Sequence, residues 1–142
     1  MILRGQDRVS SQELAALLRD QILAGELPPG ARIPSDRWLQ ESHGVSRNLV
    51  RRAIATLRSE GLVVTSQGQT SRVRQVFDKQ PIDMAGVVRV EIRMPTEPER
   101  NAMPVQVDEG VPVFVIWRSE AEGPELLPGD RWELPGPAYD NG

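Results

Sequence analysis

The segment Ile33–Arg51, IPSDRWLQESHGVSRNLVR, constrains the fold more than any other part of the chain. It holds two short helical patterns separated by a glycine. Ser35 stands where an N-cap would open the first, with Asp36 placed to favour the helix dipole. Gly44 supplies the left-handed position that ends it. Ser46 then caps a second helix that begins Arg47-Asn48. Along it Val50, Ala53, Ile54 and Leu57 recur at i, i+3, i+4 and i+7, the spacing of a buried stripe. At about 100° per residue, Arg47, Arg51 and Arg58 fall within about 40° of one another on a separate polar face. A helix with basic and amide side chains at its start and an apolar stripe behind is built to put its N-terminus into a major groove.

The flanking residues extend the pattern. Ser10 and Glu13 have capping-box spacing, and Leu14, Leu17, Leu18 and Ile22 follow as the apolar face of a helix reaching about Ala24. Leu27-Pro28-Pro29-Gly30 forms a turn. After Gly61, Leu62–Thr65 is strand-like, Ser66-Gln67-Gly68-Gln69 is turn chemistry, and 70–74 is the return strand. Three helices followed by a hairpin imply a winged helix-turn-helix over residues 1–76. Residues 77–86 lose periodicity and are expected to be a linker. Residues 87–134 carry strand patterns at Val87–Arg93, Val111–Trp117 and within Glu125–Leu134, broken at Pro128-Gly129, with a short helix near 97–103 capped by Thr96. Residues 135–142 read as a tail. The expected class is α+β, a winged helix-turn-helix followed by a small, strand-rich mixed domain whose thin core favours completion by a second copy.

Composition narrows the function. Residues 1–76 hold eleven Arg against seven Asp/Glu, while 77–142 hold six Lys/Arg against thirteen Asp/Glu. A basic half joined to an acidic half suits a nucleic-acid-binding module carrying a part that does not bind nucleic acid. Sixteen of the seventeen basic residues are Arg, and because this extends into the acidic half, coding bias explains it better than DNA contact. No cysteine and one histidine, His43, leave no basis for a disulfide framework or a His/Cys metal site. No apolar run is long enough to span a membrane and the N-terminus has no signal-peptide core, so a cytoplasmic protein is expected. The acidic clusters at Glu97 and Glu99, Asp108 and Glu109, and Glu120, Glu122 and Glu125 read as solvated surface without a basic partner. Phe114, Val113, Val115, Trp117 and Trp132 read as sheet core or dimer contact rather than pocket lining. Trp38 is expected in core or interface, and His43 at an exposed helix end. No nucleophile–base set or phosphate loop appears, so neither an enzyme nor a cofactor is expected.

In order, LRDQILAGELPPGARIPSDRWL, GVSRNLVRRAIATLRSEGLV and QGQTSRV make the first 74 residues resemble the DNA-binding domain of the GntR family of bacterial transcriptional regulators. The resemblance implies double-stranded operator DNA as partner and a homodimer on a short inverted repeat, with repression the expected sign. It implies that Arg37 contacts phosphate and a base edge and that Ser46 contacts phosphate. Arg47 and Arg51 would read guanine in the major groove, and Gln67 and Gly68 would sit at the wing tip near the minor groove. The family often has hydroxyl residues where Asn48 and Leu49 stand. Asn48 would shift that contact toward adenine, and Leu49 would lose one phosphate contact. The wing also lacks the frequent basic residue beside its glycine. EIRMPTEPERNAMPVQVDEGVPVFVIWRSE resembles the opening of a UTRA effector domain, shortened, so no small-molecule effector is assigned. Two other readings stay open: a winged-helix protein-interaction module, and a low-specificity architectural DNA binder.

Overall fold

The computed structural model describes residues 9–65 and 71–138, and the chain divides into two compact units, Met1–Gln75 and Val76–Gly142. In the first unit α1 spans Ser11–Leu23, α2 Asp36–His43 and α3 Arg47–Ser59, followed by β1 (Val63–Thr65) and β2 (Ser71–Val73). Each helix starts at a serine whose hydroxyl accepts a first-turn N–H: Ser10 from Glu13, Ser35 from Trp38 and Ser46 from Leu49. Such a cap satisfies one of the four donors a helix start leaves open. At α1 the Ser10 hydroxyl also donates to the Glu13 carboxylate at 3.3 Å. Gly44, at φ 64, closes α2 in the left-handed region, and the chain turns directly into the Ser46 cap.

The core of this unit joins Leu14, Ala15 and Leu18 of α1 to Leu39 of α2 and to Leu49, Val50, Ala53, Ile54 and Leu57 of α3, with Ile33, Val63 and Val73 beneath. The α3 stripe is as the periodicity requires. The α1 stripe is rotated, because Leu17 is 40% exposed while Ala15 is buried. On a helical wheel Leu17 lies about 100° from the centre of Leu14, Ala15 and Leu18, outside the packed sector. β1 and β2 pair antiparallel, Val63 opposite Val73 and Thr65 opposite Ser71, and Arg32 bridges to Arg72 as a third row. This is a winged helix-turn-helix. Its wing turn, including Gln67 and Gly68, lies outside the described residues.

In the second unit β4 (Arg89–Arg93), β5 (Val113–Trp117) and β6 (Glu125–Pro128) form an antiparallel sheet in that order, with the short α4 (Glu97–Ala102) between β4 and β5. The expected linker behaves differently. Within it, β3 (Gln80–Pro81) pairs in parallel with β7 (Trp132–Glu133), and Ile82 is buried against Ile116 and Leu127. Proline is tolerated here because Gln80 N–H donates to the Arg131 carbonyl and Ile82 N–H to that of Glu133, so the ladder never needs a donor at Pro81. Of the expected tail, 135–138 are described and largely exposed. Val113 and Val115 are buried, whereas Phe114, Trp117 and Trp132 are half-buried. Some acidic residues of this unit expected as solvated surface, Glu99 and Glu120 among them, have arginine partners. Glu91 and Glu120 pair with Arg89, and Glu99 pairs through both oxygens with Arg93 at 2.7 and 2.8 Å. Arg89 also stands 4.5 Å over the Trp117 ring.

Candidate nucleic-acid interface

The face opposite the α3 core row is where the charged side chains collect. Ser46, Arg47, Asn48, Arg51 and Arg58 are all exposed, while Leu49, Val50, Ala53, Ile54 and Leu57 between them are buried. The packed row holds the helix rigidly and leaves the basic row in solvent. The first turn of α3 contains no acidic residue and begins with Arg47. A cation there opposes the positive end of the helix dipole, a modest local cost that an approaching anion removes.

Arg37, at the start of α2, is also solvent-facing, with 88% of its side chain exposed. It donates to Glu41 at 3.1 Å across one helical turn, an exposed pair of little energetic weight that a phosphate could displace. Arg37, Arg51 and Arg58 line one open cleft of about 710 Å³ between the start of α2, the middle of α3 and the hairpin. Ser35, Thr65 and Ser71 add hydroxyls to its wall, and Asp36 adds a carboxylate. The Thr65 and Ser71 hydroxyls are 2.7 Å apart across the two strands.

The structure thus brings Arg37 and Arg51 into one cleft and sets Ser46, Arg47 and Asn48 at the free end of the same helix. Arg58, Thr65 and Ser71 were not among the residues the family pattern marks. Arg58 was visible as a member of the Arg47–Arg51 face, but nothing in the sequence pairs the two hairpin hydroxyls with it. Trp38 is 54% exposed rather than in the core, its ring edge-on to His43 with centroids 6.4 Å apart. Leu49 is 3% exposed, so its departure from a hydroxyl has a packing reason: the side chain fills the core beneath the helix start.

At the far end of α3, Glu60 is an acidic C-cap, unfavourable against the negative helix end. Arg19 of α1 donates to both of its oxygens, and this hydrogen bonding holds the Glu60 carboxyl below, and the Arg19 guanidinium above, their ordinary pKa values. The pair ties α1 to α3 and keeps Glu60 away from the basic face. Among the described residues no helix is long and apolar enough to cross a membrane, and no three His, Cys, Asp or Glu side chains gather as a metal site.

Residues 10–73 match the family model described as bacterial regulatory proteins, gntR family. The HTH-type transcriptional regulator Mce2R of Mycobacterium tuberculosis is 43% identical over 63 residues, 44% of this chain and 26% of the relative. The HTH-type transcriptional regulator GgaR of Escherichia coli is 28% identical over 119 residues, 75% of this chain and 48% of the relative. Among solved structures, the AraR DNA-binding domain in complex with operator ORX1 is 30% identical, with a TM-score of 0.44, covering 48% of this chain and 89% of that one. The chain therefore spans about a quarter to a half of the length of these curated relatives.

Proposed function

We propose, from the premise that residues 10–73 form a GntR-family helix-turn-helix domain, that this chain is a sequence-specific DNA-binding transcriptional regulator. The observation that carries the reading is α3 itself. Arg47 and Asn48 stand exposed at a serine-capped helix start, fixed from behind by Leu49 and Val50. In this reading Arg47 and Arg51 address guanine in the major groove and Asn48 addresses adenine. Arg37 contacts phosphate and a base edge, Ser46 contacts phosphate, and Gln67 and Gly68 meet the minor groove at the wing tip. Two copies bind a short inverted repeat, since two-fold protein symmetry selects an approximately two-fold site. Repression is the expected sign, the cytoplasm the expected place, and no reaction is assigned. Residues 1–76 act as the DNA-binding domain. The strand-rich remainder acts as a dimerisation or effector-like domain, for which the shortened UTRA likeness is kept as a proposal.

Gel-shift of the full chain on DNA from its own upstream region, at two salt concentrations, tests this. The expected result is a retarded complex that outlasts a large excess of random competitor and weakens as salt rises. Equal binding to random DNA would favour an architectural binder. Failure to bind any duplex would sink the DNA reading and leave the protein-interaction module.

A further inference from the structure

We propose that the outer face of the wing sheet is a second DNA-backbone contact, made by Arg32 and Arg72, so that the protein grips phosphates beyond the segment read by α3. The inference rests on the DNA-binding reading above and extends its footprint.

Arg32 stands directly opposite Arg72 of β2 in an isolated antiparallel bridge. The flanking hydrogen bonds run from Ile33 N–H to the Ser71 carbonyl (2.9 Å) and from Val73 N–H to the Ala31 carbonyl (2.8 Å). That pattern makes Arg32 and Arg72 a non-hydrogen-bonded pair, the arrangement in which cross-strand side chains come closest. Their neighbours in register, Ile33 and Val73, are buried in the core. Strand alternation therefore turns both guanidinium groups to the opposite, outer face, where both residues are exposed. Val64, opposite Arg72 on β1, completes the row without charge.

Like charges directly opposite one another destabilise a strand pair. Among the described residues neither arginine has an ion-pair partner, and the sequence has no Asp or Glu between Glu26 and Asp36 or between Glu60 and Asp78. Among the described residues the other exposed arginines without an ion pair are Arg47, Arg51, Arg52 and Arg58 of α3, the helix proposed to read DNA, whereas Arg37, Arg89 and Arg93 are matched by Glu41, Glu91 and Glu99. The unmatched pair is placed on the strand whose other side already serves the interface, since Ser71, next to Arg72, lines the cleft with Arg37 and Arg51. A polyanion running past both sides of β2 is the occupant that charge complementarity selects, and the backbone of the bound duplex is the nearest one.

The test uses the full chain and a double variant, Arg32→Gln with Arg72→Gln, on two duplexes carrying the same bound site. One ends at the edge of the site and the other continues by about one helical turn on each side. On the longer duplex the parent's slope of log affinity against log salt should be steeper than the double variant's by about 2. At moderate salt the variant should bind about ten-fold or more weakly, with its order of preference among mutated sites unchanged. On the shorter duplex the two proteins should converge. Thermal melting controls the fold, and relief of the repulsion predicts a variant midpoint no lower than the parent's. A parent that binds with sequence preference and a variant with the same salt slope on the long duplex would overturn this contact alone. A parent that binds no duplex would overturn the DNA reading and this contact with it.

Discussion

At the scale of single residues, exposure and burial divide α3 into two jobs. Arg47 has no structural role that the fold needs, since it is exposed and its helix is held by Leu49, Val50 and Ala53. Arg47→Ala should leave the melting temperature nearly unchanged and cost about 1–3 kcal/mol of operator binding, with relaxed choice at one base position. Measured affinities for a panel of single-base operator variants check this, and a variant that ranks them as the parent does would refute the assignment. Leu49 predicts the reverse. Leu49→Ala should lower stability by about 2–5 kcal/mol in denaturant unfolding, because the fully packed side chain leaves a cavity under the helix start. The family pattern drew attention to position 49 as a lost phosphate contact. That leucine there serves the core was legible only weakly, because it sits one residue ahead of the i, i+3, i+4 series.

At the scale of elements, what could be read in advance was what is long, periodic and capped. The three helices of the first unit were legible from serine caps, the Gly44 stop and the α3 stripe, since those signals are local. β3 was not, because two residues cannot display alternation and its stability comes from a partner more than fifty residues away. The rotation of α1 was hidden for a related reason: Ala15 reads as neutral until α3 is packed against it. Ion pairs such as Arg19–Glu60 join positions 41 apart and leave no sequence signal. The wing residues Gln67 and Gly68 keep the roles the resemblance gives them, as proposals. α4 offers a pH test. Thr96 accepts from Glu99 N–H while the Glu99 carboxylate accepts from Thr96 N–H, a complete capping box. Hydrogen bonds from Arg93, and then from the Thr96 backbone, bring the Glu99 pKa down from 4.5 to about 2. Because the folded value is the lower one, the carboxylate's contribution to stability is present above the unfolded value near 4.5 and is lost as pH falls toward 2. Carboxyl-carbon NMR titration should place Glu99 well below the other glutamates, and Arg93→Ala should bring it back toward them. An unshifted Glu99 in the parent would contradict the geometry.

At the scale of the whole molecule, the chain joins a basic unit with the proposed DNA-facing surface to an acidic, strand-rich one. The second unit buries Ile82, Val107, Val111, Val113, Val115, Ile116 and Leu127 and leaves Ile92 66% exposed on its edge strand β4. A core built largely of valine beside an exposed isoleucine on an edge strand suits completion by a second copy, which the proposed two-fold operator also requires. Sedimentation equilibrium of the full chain should therefore give twice the 15.8 kDa chain mass, and a monomer at micromolar concentration would remove the basis for an inverted repeat. The central claim, that α3 reads a defined DNA sequence, is met most directly by selecting fragments of genomic DNA on the immobilised full-length chain and sequencing what stays bound. The account predicts a small set of enriched fragments sharing an inverted repeat, lost when Arg47 is replaced by alanine. Bound fragments with no shared sequence, or the same set recovered with Arg47→Ala, would contradict it.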